Sequence, residues 1–127
     1  MPQKTTPDPT PAELEILRVL WKQGPSTVRQ VVEIFGDGTG YTTILKLLQI
    51  MTEKRLVTRD DRERTHVFSA ALPQQETQRR LVAGLLERAF EGSTQALVMQ
   101  ALAGRPPSRT ETAELRRLLD SLEKKQP

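Results

Sequence analysis

The sequence predicts a mainly α-helical fold with one small β-hairpin, and three observations support this class. First, two short amphipathic segments are separated only by the glycine-rich stretch 36–40. Second, residues 56–59 and 65–69 carry Val, Thr and Phe on either side of a charged stretch, as expected for two strands and a turn. Third, the chain beyond residue 73 shows only helical spacing of apolar side chains. This order predicts a winged helix-turn-helix followed by a helical dimerisation region.

The first helix is predicted to begin after a short tail. Residues 1–9 contain three prolines and no apolar stretch, so we expect a disordered tail there. Thr10 and Glu13 have the spacing of a capping box, and Pro11 suits the first helical turn. The side chains expected to face inward are those of Leu14, Leu17, Leu20 and Trp21. Gly24-Pro25 then ends the helix.

The second and third helices carry matching apolar stripes. Ser26 and Thr27 open the second helix. Its stripe consists of Val28, Val31, Val32 and Phe35, and that of the third helix consists of Ile44, Leu47, Leu48 and Met51. Three of the five residues from 36 to 40 are glycines, which can adopt the positive φ values of a sharp reversal. Each helix is therefore expected to bury one side.

The other side of the third helix is predicted to be a polar face. Because successive residues are about 100° apart on a helix, the side chains opposite Ile44 are those of Thr42, Lys46, Gln49 and Glu53, with Thr43 and Ile50 at the margin. Lys donates to guanine acceptors or to phosphate, Gln can pair with adenine, and Thr can contact a phosphate or a thymine methyl group. This chemistry is suited to reading DNA, and the candidate contacts are Thr42, Thr43, Lys46 and Gln49. An ordinary solvated face is the alternative interpretation.

A hairpin with the properties of a wing follows the third helix. Residues 56–59 and 65–69 have strand propensity, and the polar residues 60–64 suit a solvent-exposed turn. The arginines that lie where a wing would meet phosphates are Arg59, Arg62 and Arg64. The three acidic residues of the turn weaken the local field, so the wing is expected to position the protein rather than to dominate affinity. A plain charged hairpin is the alternative.

Three further amphipathic helices are predicted after residue 73. The first begins near Gln74, the second ends at Gly104, and Ser108 forms a capping box with Glu111 at the start of the third. Their main apolar side chains are Leu81, Leu85, Leu86, Phe90, Leu97, Leu115, Leu118, Leu119 and Leu122. Helices of this size enclose little core alone, so they either cover the first half of the chain or pair with a second copy, and we favour pairing. The expected parts are thus a tail (1–9), a winged-helix DNA-binding domain (10–72) and a helical dimerisation region (73–127).

Composition argues against several functional classes. The net charge of +3 permits nucleic acid as a partner without requiring it. With no cysteine and one histidine, neither a nucleophile–base pair nor a metal site is expected, and no enzyme activity or cofactor is predicted. That histidine, His66, alternates with Phe68 and is expected to be a packing residue. The sequence contains no signal peptide and no membrane-spanning stretch, so we expect a cytoplasmic protein.

The order of these elements resembles the penicillinase-repressor family of BlaI, MecI and CopY type. The residues that carry the resemblance are Glu-Leu-Glu-Ile-Leu at 13–17, Leu-Trp at 20–21, Thr-Val-Arg-Gln-Val-Val at 27–32, Tyr-Thr-Thr-Ile-Leu at 41–45, Leu-Leu at 47–48, Glu-Lys at 53–54, Leu-Val at 56–57, Phe-Glu-Gly-Ser at 90–93, Ala-Leu-Val at 96–98 and Glu-Leu-Arg-Arg-Leu-Leu at 114–119. The resemblance covers most of the chain from Thr10 to Glu123. The Tyr-Thr-Thr run and the Leu-Trp pair are its most specific features.

The resemblance implies a cytoplasmic repressor that binds a palindromic operator in double-stranded DNA as a homodimer. Thr42, Thr43 and Lys46 match family positions on the recognition helix. In the penicillinase branch, a membrane sensor protease cuts the repressor in its dimerisation region. Staphylococcal members carry an Asn-Phe pair at the cut, where this chain has Gln100-Ala101. The copper-responsive branch uses a cysteine-bearing tail, and this chain has no cysteine.

Two smaller departures from the family lie at the wing. Arg55 stands where members often have a glycine after Glu-Lys, at a position expected to be a left-handed helix end. Glu63 stands in a tip that commonly contains glycine, which indicates a different turn. Both departures are expected to change affinity or operator preference rather than the fold.

A second functional class also fits this order of elements. A winged-helix dimer can act as a protein–protein adaptor that uses the same exposed face for another polypeptide. The small excess of positive charge is compatible with that function. The face has few large apolar groups, however, and such groups usually anchor protein interfaces.

Overall fold

The computed structural model describes residues 7–36 and 38–127 of the chain. Its elements are, in order, α1 (Pro11–Gln23), α2 (Val28–Phe35), α3 (Tyr41–Glu53), β1 (Val57–Asp60), β2 (Val67–Ala70), α4 (Gln74–Phe90), α5 (Thr94–Gly104) and α6 (Arg109–Lys124). The predicted class, mainly α with a small β wing after the third helix, is confirmed. Most of the predicted tail, residues 1–6, lies outside the described residues. None of the described helices is both long enough and apolar enough to cross a membrane.

Side-chain caps fix where α1 and α2 begin. The Thr10 hydroxyl accepts from the Glu13 amide at 3.2 Å, and Glu13 Oε1 accepts from the Thr10 amide at 2.8 Å. Thr27 and Gln30 form the same reciprocal pair at the start of α2, at 3.2 and 2.8 Å. These bonds satisfy amide groups that a helix start otherwise leaves without partners. The predicted helix starts are confirmed at Thr10 and Thr27, whereas Ser26, which was expected to open α2 together with Thr27, pairs with Phe68 ahead of the helix.

The glycine bend reverses the chain between α2 and α3. Gly36 ends α2 with φ 60° and donates its amide to the Val32 carbonyl oxygen, and Gly38 has φ 86°. Gly40 instead has φ −78° and is the N-cap of α3. Positive φ is therefore required at Gly36 and Gly38 but not at Gly40, which corrects the expectation that all the glycines serve this purpose.

One core joins α1, α2 and α3 to the hairpin. Its buried side chains are Ile16, Leu17, Leu20, Val28, Val31, Ile44, Leu48, Met51, Leu56, Val57 and Phe68. The predicted stripes are confirmed at their centres, whereas their outer members are only half-buried, namely Leu14, Trp21, Val32, Phe35 and Leu47. Ile16 is completely buried, although it was not among the residues expected to face inward.

The hairpin is attached to the helices through Phe68. β1 and β2 are antiparallel, with Arg59 opposite Phe68. The Phe68 side chain is buried, and its backbone exchanges two hydrogen bonds with Ser26, at 2.9 and 2.8 Å. Both strands begin slightly later than predicted, in part because the Leu56 amide still bonds to the Met51 carbonyl oxygen of α3, at 2.9 Å. The two hydrogen bonds between Phe68 and Ser26 hold the second strand next to the start of α2.

His66 does not pack in the core, so that prediction was wrong. Its side chain is 48% exposed, and its Nε2 atom lies 3.7 Å from Asp61 Oδ1. The expectation assumed a strand that already includes His66, in which alternate residues share one face. Because β2 begins only at Val67, the alternation with Phe68 does not extend back to His66.

α3 ends at a residue in the left-handed conformation. Arg55 has φ 66°, and its amide bonds to the Thr52 carbonyl oxygen at 3.1 Å. Glycine is favoured in this conformation because it has no Cβ atom, and an arginine there is less stable. The predicted left-handed helix end is confirmed, and contacts elsewhere must stabilise it.

An ion pair holds the same helix end against α1. Lys54 Nζ lies 2.9 and 3.0 Å from the two carboxylate oxygens of Glu13, whose side chain is only 2% exposed. Burial raises the pKa of Glu13, but hydrogen bonds from Thr10 and the charged Lys54 ammonium group together outweigh it. The pKa therefore lies below the ordinary value of 4.5. The sequence had indicated Glu13 only as a capping residue.

In the second half of the chain, two consecutive residues with positive φ form the turn between α4 and α5. Glu91 has φ 49° and Gly92 has φ 82°. Ser93 then caps α5 by accepting from the Ala96 amide at 3.1 Å. The capping box predicted at Ser108 is confirmed at the start of α6.

The chain divides after Leu81 into two compact units. The division falls inside α4, whose first turns belong to the first unit and include the buried Thr77. The second unit contains the rest of α4, with α5 and α6. The domain boundary expected between residues 72 and 73 remains a prediction.

We expect Glu13→Gln to lower the free energy of unfolding by about 1 to 3 kcal/mol, because Lys54 then loses a charged partner in a largely buried position. The side-chain oxygen of glutamine can still accept a hydrogen bond from the Thr10 amide, so the helix cap is retained. Denaturant unfolding at neutral pH measures the difference. Glu15→Gln, at an exposed position of the same helix, is the matched control.

The same pair gives this prediction a pH dependence. Because the folded pKa of Glu13 is below the unfolded value, the stabilisation is complete above the unfolded value and is lost as the pH falls through the folded value. The difference between the wild type and Glu13→Gln should therefore shrink below the ordinary glutamate value of 4.5. A difference that stays constant at low pH would contradict a role for the carboxylate charge.

Candidate nucleic-acid interface

The polar face of α3 lies in solvent. Ile44, Leu48 and Met51 are completely buried on the opposite side, which fixes the rotation of the helix about its axis. The predicted DNA contacts of this helix, Thr42, Thr43, Lys46 and Gln49, are all exposed, as is Glu53. The sequence thus identified the exposed side correctly, and the DNA contacts themselves remain a prediction.

α3 begins at the edge of this face. The N-cap residue Gly40 has no side chain and so makes no side-chain hydrogen bond to the amides of the first turn. Such amides, at the positive end of the helix dipole, attract anions. Thr42 and Thr43 add two exposed hydroxyl groups. This end of α3 is therefore suited to contact with a backbone phosphate.

Two of the predicted wing arginines are paired within the wing. Arg59 Nε lies 2.7 Å from Asp61 Oδ1, and Arg62 Nη2 lies 2.7 Å from Asp60 Oδ2. Hydrogen bonds from the side chain and the backbone of Arg62 lower the pKa of Asp60 to about 2, so this carboxylate stays ionised. Both pairs are exposed and therefore weak, but they reduce the positive field of the wing.

Arg64 lies in a different environment from the other two. Among the described residues it has no ion-pair partner, and it lines a groove between the hairpin and the starts of α2 and α3. Arg29 and His66 also line this groove. Arg29 was not identified from the sequence, because nothing local to α2 indicates that the wing lies beside it.

The residues predicted to form the dimer leave much apolar surface in solvent. Leu81, Leu86, Phe90 and Leu97 are half-buried, and Leu85, Leu115, Leu118, Leu119 and Leu122 are exposed. No residue of α5 or α6 is buried. Val98, Met99 and Leu102 are exposed as well. Exposed apolar side chains in such number are typical of an interaction surface.

The pair at the expected position of proteolysis, Gln100-Ala101, lies inside α5 and is exposed. Its backbone is helical, whereas proteases generally need an extended and locally unfolded segment. A protease can therefore reach this pair at the surface, but the helix must unfold locally before the peptide bond can be cut.

The described part of the chain contains no group of three or more His, Cys, Asp or Glu side chains that could hold a metal ion. The acidic wing tip, where Asp60, Asp61 and Glu63 lie, instead forms ion pairs through both aspartates. The two aspartates therefore offset part of the positive charge of the wing arginines.

Comparison with known proteins gives one family and several structural neighbours. The penicillinase repressor family matches residues 9–121. A transcriptional regulator from Thermotoga maritima has a TM-score of 0.51 at 16% identity, covering 90% of this chain and 73% of that chain, which shows a shared fold. A probable transcriptional regulator from Pseudomonas aeruginosa has a TM-score of 0.44 at 25% identity, covering 89% and 77%. No curated protein sequence matches the chain.

The family match includes the winged helix-turn-helix and most of the helices that follow it. The resemblance found in the sequence is thereby confirmed. Members of this family are transcriptional repressors and not enzymes, in agreement with the expectation from composition. The protein belongs to the penicillinase repressor family of DNA-binding transcriptional regulators.

Proposed function

We propose that the protein represses transcription by binding a palindromic DNA operator as a homodimer, with α3 of each copy in the major groove. The observation that carries this proposal is the division of α3 into a buried apolar stripe and an exposed face of Thr, Lys and Gln. A helix with its side chains is roughly 10–12 Å across and the major groove is about 12 Å wide, so α3 fits. Lys46 and Gln49 then read base edges, and Thr42 and Thr43 bind at the rim.

Pairing through the C-terminal helices is the second part of the proposal. It is supported by the apolar surface of α6, where Leu115, Leu118, Leu119 and Leu122 are between 40% and 63% exposed. Burying these side chains against a second copy stabilises the pair by roughly 25 cal/mol for each Å² removed from water. A two-fold pair presents two copies of α3, which matches half-sites about one helical turn, or a multiple of it, apart.

The wing is proposed to bind phosphates through Arg59, Arg62 and Arg64. The first two arginines are held in exposed ion pairs, which contribute little, so a phosphate can replace Asp61 or Asp60 as the partner. Because each exchange displaces a carboxylate, the wing adds less affinity than three unpaired arginines would. The wing therefore mainly sets the position of the protein on the duplex.

Relief of repression is proposed to follow proteolysis in α5 by the membrane sensor protease that the family resemblance implies. A cut between Gln100 and Ala101 separates α6 from the rest of the chain. Since α6 carries four of the exposed leucines, its loss removes much of the pairing surface. Each copy is then left with a single attachment to DNA, and the affinity gained by binding two half-sites together is lost.

Lys46→Ala and Gln49→Ala are each expected to weaken binding to a duplex selected by the protein from a randomised pool. Gln49→Ala should also relax preference at one base position by about 1 to 3 kcal/mol. Both side chains are exposed, so the fold and the oligomeric state should not change. Gel-shift titration measures the affinities, with Gln23→Ala at the exposed end of α1 as the control. Unchanged affinity in both variants would remove this face from the mechanism.

Asp60→Asn should strengthen binding to duplex DNA of any sequence, because Arg62 loses its partner within the wing and is left to a phosphate. The slope of log affinity against log salt should become steeper by about one. Asp120→Asn, at an exposed position of α6, makes the same change of charge outside the wing and serves as the control. A wild-type protein that binds no duplex in a salt-dependent way would instead favour the adaptor function.

Leu119→Glu is expected to convert a dimer into a monomer, because a carboxylate cannot be buried in an apolar interface without a large cost. Leu119 is 63% exposed in the single chain, so the substitution should not unfold it. Sedimentation velocity measures the mass of the species in solution. Ala113→Glu adds the same charge on the side of α6 away from the leucines and should remain dimeric. A Leu119→Glu protein with the mass of a dimer would refute the assignment of this surface.

A further inference from the structure

The groove beside α3 is lined by several basic side chains. It has a volume of about 310 Å³ and lies between the starts of α2 and α3 and the residues that lead into β2. Its apolar side chains are Val28, Leu45 and Phe68, and its nitrogen-bearing side chains are Arg29, Arg64 and His66. The groove exists because the Ser26–Phe68 hydrogen bonds hold β2 next to the start of α2.

The positive charge of the groove is not compensated within it. Neither Arg29 nor Arg64 forms an ion pair with a described residue, and no carboxylate among the described residues lines the groove. Asp61 lies at its margin, 3.7 Å from His66 Nε2, but is itself paired with Arg59. The smaller cavity at the wing tip differs, since Asp60 and Glu63 line it together with Arg62. The groove is therefore suited to an anion.

The charged side chains of the groove define which kind of ligand fits. Two guanidinium groups that line one recess attract a negative group placed between them. Val28 and Phe68 are buried and offer no hydrogen-bond acceptor to compete for the arginines. A phosphodiester suits such a site, because its two non-bridging oxygens share one negative charge and can accept from both guanidinium groups.

The groove borders the exposed face of α3. Around the helix axis, Leu45 lies about 100° from Ile44 and Thr42 about 160° in the same direction, so the groove wall adjoins the side that carries Thr42. When a helix fills the major groove, the phosphates of both strands run along its two flanks. Arg29 and Arg64 line the groove on this flank.

We propose that the groove seats one backbone phosphate of the bound duplex, with Arg29 and Arg64 as its charged donors. The inference rests on the proposed function and adds Arg29, on α2, to the DNA contacts. Two guanidinium groups can donate several hydrogen bonds to the oxygens of one phosphate. Because a phosphate carries no base information, the contact strengthens binding to every duplex and aligns α3 in the groove.

The test compares Arg29→Gln and Arg64→Gln with the wild type. The probes are a duplex selected by the protein from a randomised pool and an unrelated duplex of the same length. Each variant should lose affinity on the order of 10-fold for both duplexes, as expected for one charge-assisted contact. The salt slope should fall by about one in each variant.

The control is Arg18→Gln, which removes the same charge at an exposed position of α1 outside the groove. Its affinity and salt slope should stay close to those of the wild type. Circular dichroism and thermal unfolding of each variant establish that the fold is retained, as expected for an exposed arginine on α2. A loss in Arg18→Gln equal to that in Arg29→Gln would overturn the groove and leave only a general effect of net charge.

A second measurement locates the phosphate. Replacing each phosphate of the selected duplex in turn by a neutral methylphosphonate should reveal one position per half-site where the wild type loses about 10-fold. At that position Arg29→Gln should lose little more, because the two changes remove the same contact. Independent losses at every position, or unchanged affinity in Arg29→Gln, would overturn the groove and leave the proposed function standing. A wild type that binds no duplex would contradict the proposed function itself.

A free phosphate ion has the same chemistry as a phosphodiester, and a third arm separates the two sources. Inorganic phosphate is added without DNA, at an ionic strength matched with chloride. Equal thermal stabilisation of the wild type and Arg29→Gln is expected if the groove serves the duplex. Stabilisation of the wild type alone, together with unchanged duplex binding by Arg29→Gln, would show a site for a small anion and overturn the proposal.

Discussion

The complete burial of Ile44, Leu48 and Met51 is the constraint on which the rest of the first unit depends. These side chains come from one side of α3 and enter a core built by α1, α2 and the hairpin. Burial of one such side chain stabilises the fold by roughly 1.5–3 kcal/mol, so rotation of α3 about its axis is strongly opposed. The direction of every polar group on the helix follows from that, because Lys46 and Gln49 can only face outward.

The remaining freedom of α3 is removed at its end and beside its start. Lys54 reaches back to the buried Glu13 on α1, which stabilises a helix end that would otherwise be weakened by the positive φ of Arg55. The backbone bonds between Ser26 and Phe68 then attach the hairpin to the start of α2. The wing and the groove have defined places relative to the recognition helix because both of these connections are made within one core.

Features that depend on residues close together in the sequence were predicted correctly, whereas contacts between residues far apart in the sequence were missed. The caps at Thr10 and Thr27, the stripe of α3 and the left-handed end at Arg55 depend on residues within a few positions, and local spacing was sufficient for them. The Glu13–Lys54 pair joins residues 41 positions apart, so neither helix alone shows it. The groove beneath Arg29 likewise depends on where the hairpin lies. The wing ion pairs join residues only two positions apart, in agreement with the expectation that the acidic residues of the turn weaken the field of the wing.

The absence of cysteine allows the most direct test of the central claim, that two copies of the exposed face of α3 enter successive major grooves. Glu53→Cys provides a single thiol on that face, at an exposed residue that is not among the proposed DNA contacts, and an iron chelate that cleaves DNA can be attached to it. On the selected duplex the account predicts two symmetric clusters of cleavage, about one helical turn or a multiple of it apart. Cleavage no stronger than that by the free reagent, or a single cluster, would contradict it.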